Sequence, residues 1–217
     1  MNDKFCKKNI DKFQNISFDI FDTLIERKVN KPSDIFYLAG VAVLGKESAE
    51  TFRLMRINAE LLARKRNSFK EIKLNQIYDI LKDKYGQKIY ELKEAEIKME
   101  LESCYIRKEI YELLYFAKFK NKKVFLISDM YLPKQIMERL LKICGVDLYD
   151  DLYVSNEYGF TKLDGSLFRY VINEQKIAPR ELLHIGDSVK ADFLGAKKAG
   201  VNTILIHRKN RWKRIFT

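Results

Sequence analysis

Short apolar runs near the start of the chain and in its last part have the length and composition of buried strands. The first run spans residues 16–21, and four others follow after residue 120, at 123–128, 151–155, 182–185 and 201–206. Helix signals separate the later runs, such as Pro133 at a helix start and Gly145 at its end. Because strands that alternate with helices form right-handed βαβ units, the sequence predicts an α/β fold with a parallel sheet.

The part of the chain between the first and second strands has a different pattern. Long charged segments with helical spacing of apolar residues dominate it, at about 47–66, 74–81 and 90–120, and it contains no strand signal. We therefore expect a helical domain, 27–120, inserted into a core made of residues 1–26 and 121–217.

The amino-acid composition indicates which cellular compartment and which class of binding partner to expect. With 41 Lys and Arg against 30 Asp and Glu, the chain carries a net charge of +11, which favours an anionic partner or substrate. No basic groove interleaved with aromatic residues supports nucleic acid, although the tail from His207 to Arg214 is strongly basic. Three widely spaced cysteines exclude a fully paired disulfide framework, and no membrane span or secretory signal is recognisable, so we expect a cytoplasmic protein.

Polar residues gather where the predicted strands end. In parallel sheets the ligand site lies at the carboxyl ends of the strands, so these residues are expected to meet at one edge. They are Asp19, Asp22 and Thr23 after the first strand, Ser128 and Asp129 after the second, Lys162 after the third, and Asp187 and Asp192 after the fourth.

The residue types at this edge suit phosphate chemistry. A cluster of carboxylates needs a compensating cation, and Asp19, Asp187 and Asp192 offer the oxygen ligands that Mg²⁺ prefers. Donors suited to a phosphate are supplied by Thr23, Ser128 and Lys162. The set predicts one nucleophilic carboxylate, one metal ion and one phosphoryl group. Taken singly, each segment could instead be a helix cap, a strand-to-helix turn or a surface lysine.

Four stretches of the chain resemble the haloacid dehalogenase superfamily of hydrolases. They are FDIFDTL (18–24), FLISDMYLP (125–133), GFTKLDGSLF (159–168) and LLHIGDSVKADFLGAKKAG (182–200). The resemblance implies a Rossmann-like core, and an insertion between the first two motifs corresponds to what that superfamily calls a C1 cap.

The resemblance also implies a role for each residue. Asp19 would attack phosphorus to form an aspartyl-phosphate, and Mg²⁺ would be held by Asp19, the backbone carbonyl of Phe21 and Asp187. The phosphoryl oxygens would be bound by Ser128, and negative charge would be stabilised by Lys162. The remaining acids would support these groups: Asp192 the metal or the lysine, and Asp129 the loop.

One position departs from the superfamily's pattern. Its phosphatases usually carry an Asp two residues after the nucleophile, which protonates the leaving oxygen and then activates water, and here that position is Phe21. A phenyl ring transfers no proton, and general acid–base help is worth about 10²–10⁴-fold in rate. One hypothesis is that Asp22 takes over this role; the alternative is that Asp22 only caps or shapes the loop.

Several functions therefore stay open. The first expectation is an Mg²⁺-dependent phosphomonoesterase acting on a small phosphorylated metabolite. Because the FDIFDT variant resembles proteins that accompany surface-polysaccharide synthesis, a sugar-phosphate or a capsular polysaccharide precursor is the first substrate class, and a nucleotide or polynucleotide end the second. Dehalogenases tolerate an aromatic residue at the Phe21 position, so a 2-haloacid dehalogenase is a rival. A phosphonatase and a non-catalytic binding module are further alternatives.

Overall fold

The structure is a computed structural model that describes residues 3–68 and 70–207. Its strands are β1 (Asn15–Phe18), β2 (Ile25–Arg27), β3 (Cys104–Ile106), β4 (Lys123–Ser128), β5 (Asp151–Val154), β6 (Leu182–Gly186) and β7 (Asn202–Leu205). The α-helices are α1 (Asp3–Ile10), α2 (Asp34–Leu44), α3 (Lys46–Arg66), α4 (Leu74–Tyr85), α5 (Lys88–Ser103), α6 (Lys108–Phe119), α7 (Lys134–Ile143), α8 (Ser155–Tyr158), α9 (Ser166–Gln175) and α10 (Ala196–Lys198). A π-helical segment, Val189–Gly195, leads into α10.

Five strands form one parallel sheet in the order β5-β4-β1-β6-β7, which confirms the predicted α/β fold. The first strand is shorter than the apolar run that predicted it, because β1 ends at Phe18. From there the chain turns back on itself, and the carbonyl of Ile20 accepts hydrogen bonds from the backbone N–H groups of Leu24 and Ile25. Asp19 thus directly follows the strand at the carboxyl edge of the sheet.

The chain divides into two compact units. The core unit comprises Met1–Glu26, Ile106–Met130 and Gly145–Thr217, and the helical unit comprises Arg27–Tyr105 and Tyr131–Cys144. This division differs from the expected boundaries in two segments. Residues 106–120 group with the core because α6 packs on α1 and β4, and residues 131–144 group with the helical unit because α7 packs on α5.

The core unit is held by apolar side chains from its strands and from the helices beside them. Both faces of a parallel sheet are covered, so its strands are apolar on both sides. One cluster comprises Phe125, Ile127, Tyr153, Leu167, Phe168, Val171, Ile172, Leu182, Ala196, Ala199 and Val201. This packing fixes the strand ends that carry the polar residues.

The helical unit contains α2 to α5 and α7, together with buried ion pairs. Arg56 Nε lies 2.7 Å from Glu96 Oε2 with both side chains buried, and Arg27 Nε lies 2.6 Å from Glu100 Oε1. The guanidinium of Arg56 also stacks on the ring of Phe36 at 4.3 Å. Because each buried charge has a partner, the unit can bury them without an isolated ion.

Two expectations about the inserted segment are wrong. The continuous helical stretch predicted for 90–120 breaks at Ser103, where β3 separates α5 from α6, and β3 pairs with β2 in a two-stranded sheet. Tyr105 and Ile106 favour extended backbone. The break is fixed by hydrogen bonds from the Lys28 N–H to the Ser103 carbonyl and from the Arg107 N–H to the Leu24 carbonyl.

In the parts of the chain that the structure describes, no helix combines the length and the apolar composition needed to cross a membrane. The basic tail singled out in the sequence lies, from Arg208 onward, outside the described residues.

Candidate active site

Asp19 lies at the centre of a buried polar cluster in the core unit. The residue is only 6% exposed, and its backbone N–H donates to the carbonyl of Ile185 across to β6 (2.9 Å). The backbone on which the carboxylate stands is therefore continuous with the sheet.

Lys162 reaches Asp19 from the loop between α8 and α9. Its ammonium Nζ lies 2.5 Å from Asp19 Oδ1 and 2.6 Å from Asp192 Oδ1, and the side chain is buried. One lysine thus joins two carboxylates that are 173 residues apart in the chain. Charge-assisted hydrogen bonds of this kind are about twice as strong as neutral ones.

The backbone of Lys162 is positioned from two sides. Its N–H donates to both carboxylate oxygens of Asp129, at 2.9 and 3.1 Å. On the other side its carbonyl oxygen passes so close to Gly195 that a Cβ on that glycine would stand 1.9 Å away. The predicted loop-orienting role of Asp129 agrees with this contact, and Gly195 adds a second support.

Asp192 is held by three donors. Its Oδ1 contacts Lys162 Nζ and His184 Nε2 (3.2 Å), and its Oδ2 accepts from the backbone N–H of Ser188 (2.8 Å). His184 Nδ1 in turn lies 2.9 Å from the Ser17 hydroxyl. Since a carboxylate only accepts, a neutral His184 carries its proton on Nε2 and accepts the Ser17 proton at Nδ1.

Asp187 completes a group of three acids. One oxygen from each of Asp19, Asp187 and Asp192 lies within 4.8 Å of the others. Asp187 Oδ1 also accepts a hydrogen bond from the Thr23 hydroxyl (3.2 Å). The single hydroxyl proton of Thr23 is used in this bond, so a contact from Thr23 to phosphate would have to come from its main-chain N–H.

The charges in this cluster influence one another. Burial raises the pKa of Asp19 to about 8; Lys162 opposes the rise, whereas Asp192 and Asp187 add to it. Burial would raise the pKa of Asp192 too, but Lys162 and His184 hold it well below its usual range. Burial lowers the pKa of His184. Burial alone would also lower the pKa of Lys162, but the carboxylates of Asp19 and Asp192 raise that pKa above its usual range.

These residues fit a divalent metal ion. Three acids close together with one lysine leave negative charge uncompensated, and carboxylate oxygens are the ligands that Mg²⁺ prefers. Asp19 and Asp187 could hold it directly, because the oxygens of Asp192 already accept hydrogen bonds from Lys162, His184 and Ser188. A bound cation would supply the positive charge that keeps Asp19 ionised.

Other predicted residues lie in less connected positions. Ser128 is buried at the end of β4, at the carboxyl edge of the sheet. Phe21 is half-buried, and Asp22 has a left-handed backbone (φ 60°) in the turn after Asp19. The described contacts of this turn fix its backbone: the Asp22 N–H donates to the Ile25 carbonyl at 2.8 Å, and its carbonyl accepts from Arg107 at 3.1 Å.

Sequence reasoning missed three of the supporting residues. They are Ser17, His184 and Arg107. Ser17 and His184 face each other in the β1–β6 pairing, so a polar residue in each of two apolar strands was the available signal. Arg107, buried, also donates to the carbonyl of His207 (2.9 Å); no local sequence pattern indicates that link.

Comparison with known proteins gives a family for the chain. The profile of the family described as haloacid dehalogenase-like hydrolase matches residues 13–200. Among curated proteins, the chain is 28% identical over 90 residues to a glyceraldehyde 3-phosphate phosphatase of Methanothermobacter thermautotrophicus. The aligned stretch covers 42% of this chain and 39% of the relative. The aligned part spans about a third of the length of the curated relatives it matches.

Solved structures of similar fold include proteins with different names. A phosphatase of the same superfamily from Thermococcus onnurineus is 21% identical, with a TM-score of 0.66 over 91% of this chain and 87% of that one. The L-2-haloacid dehalogenase of Xanthobacter autotrophicus is 15% identical, with a TM-score of 0.62 over 91% of this chain and 79% of that one. At these identities the likeness concerns the fold alone.

Proposed function

The chain belongs to the haloacid dehalogenase-like hydrolases, and from that premise we propose that it is an Mg²⁺-dependent phosphomonoesterase that works through an aspartyl-phosphate. One observation carries the proposal: Lys162 bridges Asp19 and Asp192 in a buried cluster that also contains Asp187. Such a cluster provides a carboxylate nucleophile, a lysine to compensate charge and acids to hold a cation.

Asp19 would act as the nucleophile. The bond from its carboxylate oxygen to phosphorus forms as the bond from phosphorus to the ester oxygen breaks, and that oxygen leaves with the electron pair and takes up a proton. Water then attacks the same phosphorus and loses a proton, which frees Asp19 and inorganic phosphate. Lys162 donates to Asp19 Oδ1 throughout, so it orients the carboxylate and offsets the negative charge that gathers around it.

The proton for the leaving oxygen is assigned to Asp22. Phe21 occupies the position at which phosphatases of this superfamily usually have their acid, and Asp22 is the next carboxylate along the chain. It stands three residues after Asp19, in a turn whose left-handed backbone at Asp22 is held by the contact from Arg107. The Asp22→Asn variant should change the pH profile of kcat; an unchanged profile would assign the proton to another group.

The substrate is proposed to be a small phosphorylated metabolite, first a sugar-phosphate or a phosphorylated precursor of surface polysaccharide. The net charge of +11 suits an anionic molecule. The helical unit would act as the cap domain of this superfamily and select the leaving group. Ser128 and the main chain at Thr23 would bind the phosphoryl oxygens. Three free cysteines fit a reducing compartment, and the cytoplasm is the proposed location.

A 2-haloacid dehalogenase is the second candidate. The observation that favours it is Phe21, because displacement of halide by a carboxylate needs no proton donor at that position. It is the weaker candidate because such a displacement needs no metal. A dehalogenase reaction therefore gives the three clustered acids, Asp19, Asp187 and Asp192, no role as metal ligands.

The test is phosphate release from a broad panel of phosphate esters, with Mg²⁺ and with EDTA, for the wild-type protein and Asp19→Asn. The proposal expects release only with Mg²⁺ and a loss of at least about 10³-fold in the variant, the scale seen when a catalytic nucleophile is removed. Activity that survives Asp19→Asn contradicts the aspartyl-phosphate. Halide release from 2-chloropropionate in EDTA would support the dehalogenase instead.

A further inference from the structure

Helix α3 has one buried face and one exposed apolar face. The buried face carries Ala49, Phe52, Arg56, Ala59 and Ala63. On the opposite side four large apolar residues are exposed: Leu54 (51%), Ile57 (38%), Leu61 (48%) and Leu62 (44%). Because Leu54, Ile57 and Leu61 are spaced by three and four residues, they form one stripe along the helix.

This stripe is unusual for a solvent-exposed helix. Nothing in the described parts of the chain buries it, and contiguous exposed apolar residues typically mark an interaction surface. Over 21 residues the helix is about 32 Å long, enough to present a continuous contact.

The neighbouring helix α2 has a related excess of apolar surface. After Asp34 it contains no charged residue, yet only Ile35, Phe36, Ala39 and Gly40 are buried. It packs directly on α3, and a Cβ on Gly40 would come within 3.0 Å of the Ala49 Cα. A helix that is apolar on all sides is expected to be covered on all sides, so the α2–α3 pair carries more apolar surface than residues 3–68 and 70–207 bury.

The charges on the exposed face of α3 are self-complementary. The acidic residues Glu47 and Glu50 stand near its start, where the Glu50 carboxylate also pairs with Arg53, and Lys65 stands near its end; Glu47, Glu50 and Lys65 are exposed. If a second α3 lies antiparallel across a two-fold axis near Ile57, Leu54 of one copy approaches Leu61 of the other. The same axis brings Glu50 of one copy opposite Lys65 of the other. Because the two helices run antiparallel, their dipoles also attract each other.

We propose that the α3 face is a docking surface for a second copy of this chain, which makes the protein a two-fold symmetric dimer. The named face consists of Glu47, Glu50, Leu54, Ile57, Leu61, Leu62 and Lys65. An isologous contact requires one patch to match itself, and this patch does so both in its apolar centre and in its charged ends. The dimer is independent of the proposed reaction, because its argument uses no residue of the polar cluster.

The first experiment is sedimentation velocity on the wild-type protein and on a variant with Leu54→Glu and Leu61→Glu, from about 1 μM to about 100 μM. The dimer mass is expected for the wild type, with the association weakened by at least about 100-fold in the variant. The matched control is Ile143→Glu, an exposed apolar residue (55%) at the end of α7, which should leave the dimer intact. A wild-type protein that stays monomeric, or a dimer that the double variant leaves unchanged, overturns the proposal.

A charge-reversal pair tests the antiparallel arrangement. Lys65→Glu should weaken the dimer by about tenfold, because each of the two symmetric contacts becomes repulsive. Adding Glu50→Lys should recover most of that loss. Recovery supports the antiparallel pairing, whereas a combined variant weaker than Lys65→Glu alone contradicts it.

Discussion

Replacing Gly195 with alanine is expected to impair the site from a position outside the polar cluster. Gly195 has ordinary helical backbone angles (φ −63°, ψ −46°), so helix propensity alone predicts that Gly195→Ala stabilises the protein by about 1 kcal/mol. The structure predicts the opposite, because the new Cβ would stand 1.9 Å from the carbonyl oxygen of Lys162.

The size of the effect follows from this distance. Since Cβ atoms essentially never approach other heavy atoms closer than 3.0 Å, the Lys162 carbonyl or the helix must retreat by about 1.1 Å. The Lys162 backbone carries the side chain that contacts Asp19 and Asp192 at 2.5 and 2.6 Å. A displacement of about 1 Å in a catalytic group can cost about 10²-fold in rate, so we expect kcat to fall by roughly that factor.

The assay is Mg²⁺-dependent phosphate release from the best ester of the panel, with the thermal midpoint measured in parallel. Leu194→Ala is the matched control, since Leu194 precedes Gly195 in the same segment and is 48% exposed, and it should keep its activity. If Gly195→Ala keeps wild-type kcat and gains thermal stability, the reasoning that links Gly195 to the position of Lys162 is refuted.

Three further outcomes are expected. Without divalent ions the thermal midpoint should fall as pH rises from the ordinary carboxyl pKa of 3.8 to about 8 and level off above that, because the raised pKa of Asp19 makes its ionisation costly in the folded state. Saturating Mg²⁺ should raise the midpoint by about 5–10 °C, more at pH 9 than at pH 6.5, in differential scanning fluorimetry. Lys162→Met should abolish turnover and destabilise the protein by about 3–5 kcal/mol in urea unfolding, because it leaves the buried carboxylates of Asp19 and Asp192 without their cation. Unchanged stability would contradict the claim that Lys162 compensates their charge. Asp22→Asn should lower kcat by about 10²-fold for alkyl phosphates, and little for p-nitrophenyl phosphate, whose leaving group needs no proton; equal effects on both would argue against Asp22 as the acid.

Much of the fold can be predicted from the sequence because its signals are local. The sheet strands are buried on both faces, so each is a short apolar run, and their alternation with helices fixes the parallel arrangement. Residues such as Asp19 and Asp187 could be proposed as neighbours because the ends of parallel strands meet at one edge.

The features that the sequence did not predict depend on distant partners. Strands β2 and β3 have three residues each and pair across more than seventy residues of chain, so neither shows a periodic pattern of its own. The contact from His184 to Ser17 requires knowledge of which strand faces which, and the link from Arg107 to the turn at Asp22 spans two separate segments. In both cases tertiary packing, and not local preference, selects the partner.

The most direct test of the central claim is mass spectrometry of the protein quenched in acid during turnover of its best phosphate ester with Mg²⁺. The account predicts one added phosphoryl group on the peptide that contains Asp19, absent in Asp19→Asn and absent without substrate. A phosphoryl group on any other residue would contradict it. So would an unmodified Asp19 during turnover, provided that the same acid quench preserves a reference aspartyl-phosphate.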